Sequence, residues 1–432
     1  MKKLILLYLV FCSSALWAQE PANTASFVKQ FTSEKFRKSR KMLSGDMKKK
    51  MSTTKIKGLW TMLEKQFGDF NTTTYQSTFN KEDLSISNYL FKTEKASFTL
   101  EVAENQKGEI SGFYIKPMSY SMPDYAANAK FGKENVIIKT GEFELPGEII
   151  LPLGVKNPPL VILVHGSGPH DRDETIGPNK VFYDLALGLA AKGVATLRYE
   201  KRSKVYDSLF KYHPFSLKEE TIDDAITAVN LAKQSTLIDT SRIFVLGHSL
   251  GAMAAPYINN NSSCAGAIMF SGPFRSLTEI MPQQIEYLAG LDGKISKAEK
   301  KTIKQFKERA IIIRADRYDS TTSYNDLMGY WPGYFWKTEQ SYLPPAHIEK
   351  GTKPLLILHG SRDYQIDPVK DFIPLRNLCD QKTNCHAIMY EGLNHLFIMG
   401  EGQPNPSEYF IPGNVDERVI SDIAVWVKYQ GN

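Results

Sequence analysis

Apolar residues recur every three or four positions in two stretches near the start of the chain. The first spans 27–31, and the second spans 59–67 and stops at Gly68. This spacing places the apolar side chains on one face of a helix, and a glycine directly after the last of them is a common helix end. The pattern therefore predicts two amphipathic helices.

The period then changes to the one that is typical of strands. Apolar and polar residues alternate over 98–102, a turn-forming stretch follows at 105–108, and 110–115 is a second strand-like run. Helices followed by antiparallel strands indicate a small α+β domain over residues 26–116, with a sheet that is covered on one face.

From residue 132 onward, strand-like apolar runs alternate with helical patterns. A hairpin is predicted from 135–139 and 147–151, and Leu160–Val164 is wholly apolar, as expected of a strand buried on both faces. Later strands are predicted at 194–199, 243–246, 265–270, 355–358 and 386–390, and helices at 182–191, 218–233 and 415–429. The alternation predicts an α/β fold over 132–432, with a mostly parallel sheet and helices on both faces.

Two stretches interrupt this order. Residues 117–131 contain two prolines and are predicted to be a linker between the domains. Residues 273–354 hold a charged helical run at 294–314 and an aromatic stretch at 330–336, which together are too long and too apolar for a plain loop. We expect this insert to form a helical cap over the carboxyl edge of the sheet, where ligands bind in open α/β folds.

Residues 1–18 predict a secretory signal peptide. Two lysines precede the apolar run 4–16, which is shorter than the roughly 20 residues that span a bilayer, and a cleavage site follows at Ala18. Leu16 stands where a smaller residue is preferred, so an uncleaved membrane anchor is the alternative. Cleavage predicts an exported protein, periplasmic or secreted, with no membrane-spanning segment in the mature chain.

The composition is that of an ordinary soluble globular protein, with 42% hydrophobic and 23% charged residues. The formal net charge of +6 includes the two lysines of the leader, and no basic patch or binding module predicts a nucleic-acid partner. Cys379 and Cys385 could close a small loop after export, a pairing that the sequence leaves open. Cys264 begins an apolar run and is expected to be a buried thiol.

The candidate chemistry centres on the segment Gly247–Gly251, which reads Gly-His-Ser-Leu-Gly. It follows an apolar strand and precedes a helix-compatible run, the setting in which G-x-S-x-G holds a nucleophile. A side chain at Gly247 or Gly251 would collide in so tight a turn, and the strain holds the serine hydroxyl clear of the sheet edge. We predict that Ser249 is a nucleophile; a glycine-rich turn without chemistry is the alternative.

A serine nucleophile needs a base, and the base needs a carboxylate that orients it. Asp363 and His395 come just after the last two predicted strands, at the same sheet edge as Ser249. The chain order Ser, Asp, His is that of α/β-hydrolases and excludes the chymotrypsin and subtilisin orders. We predict that Asp363 is the acid, with Asp367 as its rival, and that His395 is the base.

The oxyanion hole requires two backbone N–H groups that face the developing negative oxygen. Leu250, the residue after the nucleophile, is predicted to supply one. The glycine-rich loop 165–168 is predicted to supply the other, from Ser167 or alternatively Gly168. The charged run 170–174 is expected to brace this loop through ion pairs, and the histidine that begins the loop is expected to be structural.

No metal or cofactor is predicted. The histidines do not have zinc-ligand spacing, and Cys385 and His386 are neighbours that point to opposite faces of a strand. No phosphate-binding glycine loop or dinucleotide fingerprint is present in the sequence.

These motifs resemble those of bacterial α/β-hydrolase esterases near the serine aminopeptidase and prolyl oligopeptidase branch. The resemblance runs from about residue 130 to the end, and its motifs stand at 165–174, 247–252, 360–366 and 394–395. It implies the α/β-hydrolase fold and carboxylesterase-type activity, with Ser249, Asp363 and His395 as the triad. It departs at His170, where a small polar residue is expected, and this puts only the bonding of that loop in doubt.

The N-terminal unit is similar in layout to the nuclear transport factor-like, or cystatin-like, domain of unknown function that precedes some bacterial exported hydrolases. The helix end at 60–68 and the closing segment 112–117 carry this likeness, which implies no catalytic residues. Dienelactone hydrolases share the α/β fold, but they use a cysteine as nucleophile.

Together these features predict an exported serine hydrolase that cleaves small to medium acyl esters through an acyl-enzyme. A peptidase with the same triad is one alternative, and it would need an acidic pair in the cap that captures a peptide amino terminus. Glu279, Glu286 and Asp316 are the candidates for that pair. An envelope binding protein with an inactive hydrolase domain is the other alternative.

Overall fold

The structure is a computed structural model that describes residues 20–94, 97–117, 120–212 and 214–430. The expected signal peptide at 1–18 lies outside the described residues. The chain divides into two compact units between residues 118 and 119. Within the described ranges, no helix is long and apolar enough to cross a membrane.

The N-terminal unit consists of four helices followed by four strands. The helices are α1 (Ala22–Thr32), α2 (Phe36–Lys41), α3 (Gly45–Lys50) and α4 (Thr53–Phe67). The strands are β1 (Phe70–Lys81), β2 (Leu84–Thr93), β3 (Ser97–Asn105) and β4 (Ile110–Pro117), and they form one antiparallel sheet in chain order. The helix α4 begins after Ser52, whose Oγ accepts the N–H of Lys55, and ends at Gly68 as the sequence predicts.

Aromatic side chains join the helices of this unit to its sheet. Phe31 packs edge-on against Trp60 of α4, and Phe27 lies 5.3 Å from Phe113 of β4, centroid to centroid. The strands β3 and β4 lie where the sequence predicts them, but β1 and β2 have weaker patterns. Most side chains of β1 are exposed, and most are polar, so this strand lacks the apolar alternation that marks a half-buried strand.

The C-terminal unit is built on an eight-stranded sheet and a short two-stranded ribbon. The strands of the sheet, in spatial order, are β14 (Cys385–Tyr390), β13 (Leu355–Gly360), β12 (Gly266–Phe270), β11 (Ile243–His248), β7 (Leu160–Val164), β10 (Ala195–Tyr199), β6 (Phe143–Pro152) and β5 (Phe131–Thr140). The ribbon pairs β8 (Thr175–Ile176) with β9 (Asn179–Lys180). Neighbours from β14 to β10 are parallel, and β6 is antiparallel to both β10 and β5.

Helices connect these strands. They are α5 (Val181–Ala191), α6 (Arg202–Val205), α7 (Asp207–Tyr212), α8 (Asp223–Ala232), α9 (Leu250–Asn261), α10 (Leu277–Gly290), α11 (Lys297–Arg314), α12 (Gly333–Glu339), α13 (Pro344–Lys350), α14 (Ile373–Cys379) and α15 (Glu417–Tyr429). The fully buried strand β7 contributes to two cores. Leu160, Ile162 and Val164 join the core with residues of α8 and α9, whereas Val161 and Leu163 join the core with residues of α5 and α15. The predicted α/β fold with helices on both faces is therefore confirmed.

The strand order places the predicted active site near the centre of the sheet. From β7 the chain crosses to β10 on one side and then returns to β11 on the other side. The loops that leave the carboxyl ends of β7 and β11 therefore diverge, and such a switch point is where open α/β folds form a crevice.

Residues 120–130 lie within the segment that the sequence predicts to be a linker, but they pack onto the C-terminal unit. Tyr120 donates its hydroxyl hydrogen to Asp184 of α5 at 2.7 Å, and Tyr125 donates to the carbonyl of Val415 at 2.9 Å. Ala126 is buried between α5 and β6. Proline content signals a break in the helix and strand pattern, but it does not reveal such tertiary contacts.

The predicted cap insert is helical and comprises α10 to α13. It contacts the loops at the carboxyl edge, because Gln283 donates to Asp367 and Gln284 donates to the carbonyl of Gln365, both at 2.7 Å. In the aromatic stretch, Trp331, Phe335 and Trp336 are buried in a core that they share with residues of α8 and α9. These three side chains therefore serve packing, whereas Tyr330 and Tyr334 are exposed.

A disulfide bond joins Cys379, the last residue of α14, to Cys385, the first residue of β14. The cross-link restricts the unfolded chain, so its removal should cost roughly 2 kcal/mol of unfolding free energy. We predict that Cys379→Ser/Cys385→Ser lowers the denaturant midpoint by the corresponding amount. A thiol reductant should lower the midpoint of the wild-type protein but not that of the double variant. Equal midpoints for the two proteins in the absence of reductant would contradict this prediction.

Candidate active site

Ser249 lies in a sharp turn between β11 and α9. Its φ of 53° and ψ of −112° are strained for a residue with a side chain, as expected of a nucleophile held at a strand-to-helix turn. A Cβ on Gly247 would collide with the carbonyl of Gly251, and a Cβ on Gly251 would collide with the carbonyl of Val164. Both glycines are therefore required for the close approach that the sequence predicts.

Asp363 and His395 lie in the loops after β13 and β14, and both are buried. His395 Nδ1 is 2.7 Å from Asp363 Oδ2, and the other carboxylate oxygen accepts the N–H groups of Gln365 and Ile366 at 2.9 Å each. The rival acid Asp367 instead caps the turn before α14 by accepting the N–H of Val369. The structure thus brings Asp363, and not Asp367, to the histidine.

The protonation states of this pair suit a base and its orienting acid. Burial opposes ionisation of Asp363, but the neighbouring His395 outweighs burial and lowers the pKa of the carboxyl group. Burial lowers the pKa of His395, and the attraction of Asp363 offsets only part of this effect. His395 is therefore neutral at pH 7, with Nδ1–H donated to the carboxylate and Nε2 able to accept a proton.

The residue that precedes the serine lies beside His395 at the end of the sheet. The ring of His248, directly before the serine, lies 4.8 Å from that of His395, centroid to centroid. Ser249 Cβ would be 3.2 Å from a Cβ built on Gly166, so the serine side chain adjoins the loop 165–168, which we call the oxyanion loop after its predicted role. Its hydroxyl makes no hydrogen bond to any described residue, and such contacts often tighten only when a substrate binds.

The loop after β7 turns its carbonyl groups away from this point. The carbonyl of Gly166 accepts from Lys201 Nζ at 2.7 Å, that of Ser167 lies 2.7 Å from His170 Nε2, and that of Gly168 accepts from Ser203. The N–H groups of Ser167 and Gly168 have no partner among the described residues. The N–H of Leu250, at the start of α9, is likewise unpaired there. These three N–H groups are suited to bind a negative oxygen.

Glu174 is part of the charged run expected to brace the oxyanion loop, and it is wholly buried. Its Oε1 accepts the N–H of Gly166 at 2.7 Å, and its Oε2 lies 3.0 Å from His248 Nδ1. His248 Nε2 lies 3.1 Å from the carbonyl of His395. Glu174 Oε2 and His248 Nδ1 make no hydrogen bond to any described residue, so the carboxylate acts on the ring through its charge at short range.

Glu174 and His248 each favour the ionised form of the other. Burial disfavours the ionised forms of both groups, but the attraction between them outweighs it, which lowers the pKa of Glu174 to about 2 and raises the pKa of His248. Positive charge on His248, which lies beside His395, contributes to the lowered pKa of His395. Sequence patterns missed these roles, because a single glutamate in a charged loop does not show what it will contact.

The rest of the charged run also forms ion pairs. Arg172 binds Glu200 at 2.8 Å, and Asp173 binds both Lys180 and the buried Arg198. The ion pairs of Arg172 and Asp173 thus fix the charged run, and Glu174 and His170 connect it to the loop 165–168. His165 is buried, with a pKa lowered to about 3 by burial, and its Nε2 contacts the carbonyl of Asp171, so it is a neutral structural residue.

Two of the three acidic candidates in the cap are paired with lysines. Glu286 pairs with Lys307 at 2.7 Å, and Asp316 pairs with Lys337. Glu279 is exposed at the mouth of a cavity of 770 Å³ within the cap. Among the described residues, no group of histidine, cysteine or acidic side chains is arranged to hold a metal ion.

The topology and the serine turn define an α/β-hydrolase. Over 407 residues the chain is 36% identical to Esterase EstD of Thermotoga maritima. The aligned residues cover 93% of each chain. The chain therefore belongs to the family of α/β-hydrolase esterases that includes this relative, and the predicted family is confirmed.

Further comparisons give weaker likenesses. Est1E of Butyrivibrio proteoclasticus has a TM-score of 0.43 and 18% identity, over 68% of this chain and 98% of that one. A Pyrococcus furiosus esterase has a TM-score of 0.44 and 15% identity, over 73% and 98%. Residues 24–113 match the family described as Protein of unknown function (DUF3887), in agreement with the expected N-terminal domain of unknown function.

The pH profile should depend on the charge of His248. His395 must be neutral to act as a base, and the lowered pKa of His395 places the acid limb of kcat/KM below the usual range of histidine. His248→Asn removes the adjacent positive charge, so the pKa of His395 should rise and the acid limb should move to higher pH. Ester hydrolysis measured across pH checks this shift, and Glu174→Gln should move the limb in the same direction. A limb that stays in place or moves down would contradict the assigned charges.

Proposed function

We propose that this protein is an exported serine carboxylesterase that acts on small to medium acyl esters. The observation that carries the proposal is the pairing of His395 with Asp363 beside the strained turn at Ser249. Family membership supports ester hydrolysis, and the residues at the carboxyl edge supply each part that a serine mechanism needs. No cofactor or metal takes part in the proposed reaction.

Catalysis begins when Ser249 Oγ attacks the ester carbonyl carbon and His395 Nε2 takes the hydroxyl proton. The carbonyl electron pair moves to the oxygen, which binds the N–H groups of Leu250 and Ser167. When the tetrahedral intermediate collapses, the bond to the alcohol breaks and His395 gives its proton to the departing oxygen. A water molecule then attacks the acyl-enzyme by the same route, which releases the carboxylic acid and restores Ser249.

The charges of the cap favour an ester substrate over a peptide that is held by its amino terminus. Capture of a peptide amino terminus needs unneutralised carboxylates, and lysines neutralise two of the three acidic candidates. Peptidase activity on the same triad is therefore the second candidate function, and a vestigial site is the third.

Export is supported by the N-terminal leader in the sequence and by the disulfide between Cys379 and Cys385. Disulfides persist in oxidising compartments such as the periplasm and are rare in a reducing cytoplasm. The bond and the leader are independent features, and both favour the periplasm or the medium.

The serine assignment predicts loss of turnover on substitution. Ser249→Ala removes the nucleophile, and kcat for a short-chain nitrophenyl ester should fall by about six orders of magnitude. A fluorophosphonate probe should label the wild-type protein and not the variant. Turnover near that of the wild type in Ser249→Ala would overturn the proposal.

Two aspartates four residues apart provide a matched control for the triad. Asp363→Asn should lower kcat by about 10⁴-fold, because His395 loses the carboxylate that orients it. Asp367→Asn should retain turnover, since Asp367 caps the turn before α14 and accepts from Gln283 of the cap, whereas the carboxylate beside His395 belongs to Asp363. Rates on aminoacyl anilides that exceed those on esters would favour the peptidase instead.

Export is tested on the full chain in a bacterial host. We predict that the protein reaches the periplasm or medium with Gln19 as its first residue, and that a variant without residues 1–18 remains in the cytoplasm. Mass spectrometry of the purified protein gives the amino terminus. An intact leader in the membrane fraction would support the anchor alternative instead.

A further inference from the structure

Lys201 is a buried lysine with no role in the triad. It follows β10, is 2% exposed, and is held by Glu220, which is 4% exposed. Lys201 Nζ donates to Glu220 Oε1 at 2.8 Å and to the carbonyl oxygen of Gly166 at 2.7 Å. A buried ammonium group is costly unless it is paired and hydrogen-bonded, so its contact with one particular backbone carbonyl calls for a specific explanation.

The carbonyl oxygen of Gly166 and the N–H of Ser167 belong to the same planar peptide group. Because the peptide bond is planar and trans, an oxygen fixed on one side fixes the direction of the N–H on the other side. The Lys201 contact therefore sets where the Ser167 N–H points. That N–H has no partner among the described residues and is the second donor of the proposed oxyanion hole.

The charge of Lys201 also acts on the strength of this donor. A charged hydrogen bond is stronger than a neutral one, and hydrogen bonds in series polarise one another. An ammonium group on the carbonyl oxygen draws electron density from the peptide and makes its N–H a better donor. Glu220 balances the charge on the side away from Gly166, so the ammonium group remains paired in the interior.

We propose that Lys201 is a positioning residue for the oxyanion hole, which it orients and polarises through the Gly166–Ser167 peptide. This inference rests on the proposed serine mechanism and names a group that acts on the transition state without touching the substrate. Glu174 fixes the preceding peptide by accepting the N–H of Gly166, so two successive peptides of the loop are held by opposite charges.

A neighbouring ion pair provides a matched control. Arg202 is the next residue, and it binds Asp224 in a pair of similar burial, at 4% and 1% exposure. Neither of these side chains makes a hydrogen bond to the oxyanion loop. Loss of this pair removes the same type of buried charge from the same segment, so it reports the effect on stability alone.

The test compares Lys201→Met/Glu220→Met with Arg202→Met/Asp224→Leu. Each double variant removes both charges, because an unpaired buried charge would itself be destabilising. Three quantities are measured: kcat and KM for a nitrophenyl ester, the affinity for a trifluoromethyl ketone, and the melting temperature. The ketone forms a tetrahedral adduct with the serine, and its oxyanion occupies the hole.

The Lys201 double variant should lose about 10- to 100-fold in kcat and in ketone affinity, somewhat less than removal of a donor costs, with KM little changed. The Arg202 double variant should keep kcat and ketone affinity. If the first pair does not fold, Lys201→Gln/Glu220→Gln is the milder replacement, and the same losses are expected. A folded Lys201 variant with unchanged ketone affinity, or equal losses in both double variants, would overturn the proposal.

His170→Gln distinguishes the two possible donors of the loop. His170 contacts the carbonyl of Ser167, which belongs to the same peptide as the N–H of Gly168. A loss of ketone affinity in His170→Gln, without one in the Lys201 variant, would assign the hole to Gly168 and overturn the role of Lys201. A wild-type protein that neither hydrolyses the ester nor reacts with a fluorophosphonate would instead refute the serine mechanism itself.

Discussion

A single buried ion pair connects the three loops on which the site depends. Glu174 holds the oxyanion loop through the N–H of Gly166, and it pairs with His248, which lies between the nucleophile turn and the carbonyl of His395. Each loop leaves a different strand, and the strands themselves fix only where the loops begin. The pair fixes the three loops relative to one another, although burying two charges costs free energy.

The residues of the proposed triad could be selected from the sequence because each follows a recognisable strand. The carboxyl ends of parallel strands meet at one edge, so chain order and strand ends predict that Ser249, Asp363 and His395 lie at the same edge. The sequence favoured Asp363, but strand ends alone do not distinguish it from Asp367, since both lie in one loop. The distinction depends on a turn in which Asp367 caps backbone N–H groups while Asp363 faces the histidine.

Residues that act through tertiary contacts left no pattern in the sequence. Lys201 and Glu220 are separated by 19 positions, and each is an ordinary charged residue until the fold buries both. The strand β1 and the packing of residues 120–130 were not predicted from the sequence for a related reason. The side chains of β1 are mostly exposed and polar, and residues 120–130 are held by hydrogen bonds to residues distant along the chain. Periodicity predicts which face of an element is buried, and it does not report partners that are distant along the chain.

The disulfide of the C-terminal unit has a mechanical consequence for the strand that leads to His395. The strand β14 is at the edge of the sheet, where one side has no strand partner among the described residues. Its first residue is tied covalently to α14, and the loop after its last residue is held by the contact of His395 with Asp363. The edge strand is thus restrained at both ends, covalently before it and by a hydrogen bond after it. The contact between His395 and Asp363 therefore also restricts the movement of the strand.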